Sequence, residues 1–305
     1  MRYSFHTADV FTDRAFGGNP LAVLPDARGL TDEQMLAVTR EFNHSETVFV
    51  LPPDESVNTR KLRIFTPGGE IPFAGHPTIG TAHVLAVMGE IPLEDDRTSI
   101  AFEEGVGRVP VEIRSEAGTP VFAELMAARL PEFDERLPSM TALAKALSLH
   151  PDDIRNDDLT PEIVSCGVPY LFVPVRDRDA LGRAQIDRAR WNPTFADCAT
   201  SEVYLICRDP ERTDADLRAR MFAPNVGIDE DPATGSAAAA LAGYLGVRDE
   251  RENDTLKWVV EQGFEMGRPS ILYVEAEVRD GAIVAVRVGG STVMISEGII
   301  EIPRS

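Results

Sequence analysis

Residues 69–89 read GEIPFAGHPTIGTAHVLAVMG, and their second half decides the fold. Thr78, Ile79, Ala82, Val84, Leu85, Val87 and Met88 leave no polar face, so this helix packs on all sides rather than lying on a surface. Pro77 falls in the first turn, where a missing N–H breaks no helical hydrogen bond. Gly75 and His76 therefore stand at the helix mouth, where first-turn N–H groups and the helix dipole favour an anion.

Beyond this helix, the same grammar returns at residues 230–246, EDPATGSAAAALAGYLG. An offset of 160 residues superposes Glu70 on Glu230, Pro72 on Pro232, Gly75 on Gly235 and His76 on Ser236. Two buried helices that each put glycine and a polar side chain at the mouth indicate two homologous halves. A strand-like segment, 59–66 or 215–222, leads into each motif. Strands are also expected near 2–11, 21–24, 43–51, 98–104, 108–114, 120–128, 162–175, 201–207, 270–278, 282–288 and 291–302. Helices are expected from the Thr31/Gln34 capping box to about Phe42, and near 139–148. The charged stretch 177–190 reads as a solvated helix. Mixed strands with two buried helices give an α+β class, not a doubly wound parallel sheet.

At 305 residues the chain is long enough for two cores. Its net charge of −20 argues against a nucleic-acid backbone as partner. No apolar run reaches the ~20 residues that span a bilayer, and residues 1–18 lack a signal-peptide pattern, so a cytoplasmic location is expected. Cys166, Cys198 and Cys207 form no CxxC pair and read as inert thiols. His76 and His83 could share a helix face, but no further ligand accompanies them and no metal site is expected.

Neither helix mouth carries a dinucleotide fingerprint or a Walker lysine. What remains for chemistry is Glu46, His76, Asp231 and Ser236, with Gly75 and Gly235 at the two mouths. That set suits proton transfer on a small carboxylate-bearing molecule: the mouths hold the carboxylate, and a carboxylate or imidazole moves the proton. Each residue also has a plain structural reading. Asn19 fits a turn former as well as a ligand contact, Glu46 a strand-end carboxylate, His76 and Asp231 helix-end residues.

The blocks FGGNPLAV (16–23), NHSETVFV (43–50), GGEIPFAGHPTIGTA (68–82), DPATGSA (231–237) and EQGFEMGRPS (261–270) together resemble the phenazine-biosynthesis PhzF family. The resemblance implies a diaminopimelate-epimerase-like fold of two similar domains, each a mixed or antiparallel sheet wrapped around a central helix. It places one domain at 1–118, with 291–305 returning to it, the other at 119–290, and an active site in the cleft between them. It further implies a homodimer with no metal and no organic cofactor. Glu46 corresponds to the family's acid/base glutamate, and His76, Asp231 and Ser236 to its histidine, aspartate and serine. The related racemases carry a cysteine immediately before each mouth glycine. Here those places hold Ala74 and Thr234 (or Ala233, if the second motif is shifted by one), none of which can serve as a thiolate base. The expected function is a cofactor-independent isomerase. A non-catalytic carboxylate-binding protein and a cysteine-independent epimerase are the alternatives; the latter needs a second acid, for which Asp231 is the candidate.

Overall fold

The computed structural model describes residues 1–155 and 158–303. The chain divides into two compact units: Met1–Ala128 with the segment from Val288 onward, and Arg129–Arg287. Residue 118, the boundary expected from sequence, falls inside a hairpin in which Gly107–Glu116 pairs with Thr119–Met126, so both of those strands stay in the first unit.

In the first unit, Arg2–Val10 pairs antiparallel with Asn19–Leu24 and with Thr292–Glu301. Asn19–Leu24 runs parallel to Glu46–Leu51, which pairs antiparallel with Arg60–Thr66. Arg60–Thr66 then pairs antiparallel with Gly69–Ile71 and parallel with Arg97–Glu104. The helix Gly75–Val87 buries twelve of its thirteen residues, and Gly89, at φ +75°, follows its end. Burying Ile79, Val84 and Leu85 contributes roughly 1.5–3 kcal/mol each. Gly80 permits the close approach, since a Cβ there would sit 2.5 Å from Leu21 Cδ2 and 2.6 Å from Val10 Cγ2. The capping box at Thr31 starts the helix Asp32–Phe42, and Asn43 ends it in the left-handed region.

The second unit repeats this order. Pro169–Pro174 runs parallel to Val203–Cys207, which pairs antiparallel with Leu217–Ala223. Leu217–Ala223 pairs antiparallel with Ile228–Asp231 and parallel with Asp254–Gln262, and Gly235–Gly246 is the buried helix. The strand Asp254–Gln262 has no counterpart in the sequence reading. The stretch 177–190 also differs from its expectation. It holds the helix Arg178–Arg183 and the start of a second, Arg188–Phe195, pinned by buried Ala180, Leu181, Trp191 and Phe195.

Register makes the duplication explicit. Thr47 opposes Phe65 in the first unit as Val203 opposes Phe222 in the second. Phe65 opposes Glu70 as Phe222 opposes Glu230, and Lys61 aligns with Glu103 as Arg218 does with Glu261. Side chains follow the backbone. Arg63 forks onto Glu70 at 2.7 and 2.5 Å, and Arg220 onto Glu230 at 2.7 and 2.8 Å. Glu103 accepts the N–H groups of Asp54 and Glu55, while Glu261 accepts those of Glu211 and Arg212, so one carboxylate ties down the preceding loop in each unit.

Candidate active site

In the first unit, strand order brings three distant residues together. Asn19 opens one strand, Glu46 opens its parallel neighbour, and His76 is the second residue of the buried helix. The Asn19 side-chain amide lies 3.2 Å from His76 Nδ1, and His76 Nε2 lies 3.4 Å from Glu46 Oε2. An amide nitrogen can only donate, so Nδ1 accepts and the neutral ring carries its proton on Nε2, facing the carboxylate. Burial, and then the nearby His44, hold His76 down to about 3. At neutral pH His76 is thus an uncharged ring whose Nε2 lies beside the Glu46 carboxylate. Gly75 is the first residue of the same helix, behind Ala74 in extended conformation.

In the second unit, Asp231 ends the strand Ile228–Asp231, and its Oδ2 accepts the Thr234 hydroxyl at 2.5 Å. Gln262, fully buried, uses all its hydrogen-bonding capacity on this loop and its neighbour. Its Nε2 donates to the Asp231 carbonyl (2.8 Å) and Thr234 Oγ1 (3.1 Å). Its Oε1 accepts from Thr234 N–H (3.2 Å) and the Tyr204 hydroxyl (2.9 Å). Ser236 follows Gly235 at the helix mouth, and its hydroxyl lies 2.6 Å from the Tyr170 hydroxyl.

Each unit therefore gathers its own predicted residues: Asn19, Glu46, Gly75 and His76 in one, Asp231, Gly235 and Ser236 in the other. Sequence reasoning passed over Glu202, which immediately precedes the strand Val203–Cys207 and so holds the place in the second unit that Glu46 holds in the first. Burial, and then the charge of Asp231, push its carboxyl up to about 7. A signal was available, since SETVFV at 45–50 and SEVYLI at 201–206 share their opening Ser-Glu. Gln262 lies within the EQGFEMGRPS block, where nothing local singled it out, and Tyr170 had no local signal.

The cysteines give no thiolate. Burial pushes Cys166 up to about 12 and Cys207 up to about 11. Among the described residues no group of three or more His, Cys, Asp or Glu gathers as metal ligands, and no helix is long and apolar enough to cross a membrane.

The chain is thus a duplicated α+β protein with mixed sheets, a buried helix in each unit and a carboxylate beside an imidazole at one mouth. The chain belongs to the phenazine biosynthesis-like (PhzF) family of isomerases, whose description it matches over residues 8–298. It is 40% identical over 293 residues to an uncharacterized isomerase of Mesorhizobium japonicum, covering 95% of this chain and 96% of that one. It is 34% identical over 293 residues to the trans-2,3-dihydro-3-hydroxyanthranilate isomerase of Pseudomonas chlororaphis, covering 96% and 97%. The crystal structure of a PhzF-family phenazine biosynthesis protein from Bacillus anthracis superposes with a TM-score of 0.88 at 26% identity, covering 99% of this chain and all of that one.

Proposed function

We propose that the protein is a cofactor-independent isomerase that moves a proton on a small carboxylate or amino-acid substrate, with Glu46 as the acid/base. The observation that carries this reading is the gathering of Asn19, His76 and Glu46 at the mouth of a buried helix. A neutral imidazole 3.4 Å from the carboxylate brings no charge that would neutralise it, which suits a general base. Glu46 would take a proton from a C–H next to the substrate's unsaturation and return it at another carbon. Over the cycle one C–H bond breaks, one forms, and the double bond shifts, with no net gain or loss of electrons. Asp231 and Ser236 are assigned to substrate binding, and the first-turn N–H groups that follow Gly75 and Gly235 to the substrate carboxylate. The same reading takes the protein as a homodimer acting on a small anion.

One observation favours a second reading. An epimerisation needs a second acid, and Glu202 supplies a better candidate than Asp231, whose carboxylate already accepts Thr234.

The test is proton NMR in D₂O with a panel of small unsaturated carboxylic and amino acids that includes trans-2,3-dihydro-3-hydroxyanthranilate. Deuterium uptake by wild type that Glu46→Gln abolishes supports the isomerase. Inversion of a chiral centre that Glu202→Gln also stops supports the epimerase. Line broadening without uptake, alike in wild type and variant, would sink both and leave a binding protein.

A further inference from the structure

Beneath the mouth of the Gly75–Val87 helix lies a carboxyl group that the proton-transfer scheme does not use. Glu104 ends the strand Arg97–Glu104 and is 7% exposed. Its Oε1 lies 2.7 Å from the Thr78 hydroxyl, and its Oε2 has no hydrogen-bond partner among the described residues. Thr78 is also 2.8 Å from the Ala74 carbonyl, and Ala74 caps the helix. The hydroxyl has one proton to give, and a carbonyl can only accept. With that proton on the Ala74 carbonyl, the remaining contact is made by a proton on Glu104.

The surroundings agree. No cation pairs with Glu104 among the described residues, so an ionised carboxylate would leave a bare buried charge. On the helix, His76 and His83 are held neutral, at about 3 and about 4, chiefly by burial. On the parallel strand Arg60–Thr66, Arg60 pairs with Glu90, Lys61 with Asp54, and Arg63 with Glu70 and Asp32. On the hairpin strand Gly107–Glu116, Arg108, Arg114 and Glu116 face solvent, and Glu112 pairs with Arg97. Within Glu104's own strand, Glu103 is turned to the loop at Asp54 and Glu55.

The second unit supplies an independent argument. The register that aligns Glu103 with Glu261 puts Gln262 in the place of Glu104. The next residue is glycine in both units: a Cβ on Gly105 would lie 2.8 Å from Pro72 Cα, and one on Gly263 2.5 Å from the Pro232 carbonyl. Gln262, always neutral, braces the loop before its helix through Asp231 and Thr234. A protonated glutamic acid is the near-isostere of glutamine.

We propose that Glu104 is kept as a neutral carboxylic acid that positions the first turn of the Gly75–Val87 helix, and that its ionisation sets the alkaline limit of the His76–Glu46 site. The functional half rests on the proton-transfer reading above; the structural half does not. Burial pushes the Glu104 carboxyl up to about 8, against the opposing pull of the Thr78 bond. Loss of its proton would place a second acceptor against Thr78, pulling the hydroxyl off the Ala74 carbonyl and loosening the turn that carries His76.

The experiment compares wild type, Glu104→Gln and Glu202→Gln without ligand. Infrared difference spectra should show a neutral-carboxyl C=O band in wild type at pH 6.5 that is lost on titration near pH 8. That band should be absent from Glu104→Gln and retained in Glu202→Gln. Histidine-labelled NMR should show the His76 ring signals moving with the same midpoint in wild type and staying flat in Glu104→Gln. No such band in wild type overturns the proposal, whether or not the variant folds. A His76 transition that persists in Glu104→Gln overturns the positioning role. With any substrate that exchanges deuterium, wild-type exchange should fall about tenfold between pH 7 and 9, while Glu104→Gln stays within about twofold. If no substrate exchanges, the proton-transfer reading fails while the infrared and His76 results stand.

Discussion

The two helix mouths share a scaffold and differ in what they can titrate. Each is preceded by an Arg–Glu fork, braced by a strand-end residue beside a glycine that packs on proline, and followed by a helix of small and branched apolar residues. Around that common frame the first unit places His76, Glu46 and Glu104, and the second places Ser236, Thr234 and Gln262. An imidazole and two glutamates gather at one mouth, and hydroxyl and amide side chains at the other. Asp231 and Glu202 are the exceptions, and burial, with the charge of Asp231, pushes the Glu202 carboxyl up to about 7. The two units thus share the parts that aim the helix and differ in the side chains at its mouth.

The asymmetry between the mouths meets its most severe test at the acid/base end. Glu46→Gln should lower solvent-proton exchange about a thousandfold or more while leaving the melting temperature nearly unchanged. An equal loss from Ser236→Ala would erase the asymmetry. Next come the Arg–Glu forks. Arg220 is more buried than Arg63 and also donates to the Leu181 and Ala184 carbonyls, so Arg220→Ala should cost about 3–5 kcal/mol and Arg63→Ala about 1 kcal/mol in denaturant titrations. The glycines divide the units further. Gly263 sits at φ +77°, and a Cβ there would lie 2.5 Å from the carbonyl oxygens of Pro232 and Arg268, whereas Gly105 has no positive φ. Alanine should therefore destabilise by about 2–3 kcal/mol at Gly263 and about 1–2 kcal/mol at Gly105.

The smallest effect is a pH dependence. His83 is held at about 4 by burial, below the ordinary value of 6.5, so the unfolded chain binds the proton first as pH falls. Stability supplied by the neutral ring is then intact above pH 6.5 and lost on the way down to pH 4. Between pH 6.5 and 5.5 the loss is about 1 kcal/mol, which His83→Asn should remove in thermal melts across that window.

Residues close in sequence were legible as structure. The two mouths, their 160-residue offset and the all-round burial of both helices could be read because glycine, proline and an unbroken apolar run each have a local meaning. The family's mixed-sheet fold followed from the same blocks. Contacts set by strand register were not legible. Asn19 reaches His76 across 57 residues and Glu104 reaches Thr78 across 26, and nothing in either neighbourhood announces the other. In the stretch 177–190 the charges outnumber the anchors, so Ala180 and Leu181, and Trp191 just beyond, were hidden by composition although they fix both short helices. Glu202 fell between these cases, with a visible repeat of Ser-Glu whose meaning only the paired strands supply.

The strand Thr292–Glu301 lies against Arg2–Val10 along its whole length, and the Met1 amine reaches the Ile302 carbonyl at 2.5 Å. During synthesis, then, Arg2–Val10 must wait for Thr292–Glu301, which is made some three hundred residues later. Arg129–Arg287 leaves the ribosome with its own core residues complete, while the first unit stays open at one strand until almost three hundred residues have been made. The edge of Arg2–Val10 is unguarded for that interval, and a pause in translation before residue 292 is when this protein would be most exposed to wrong partners.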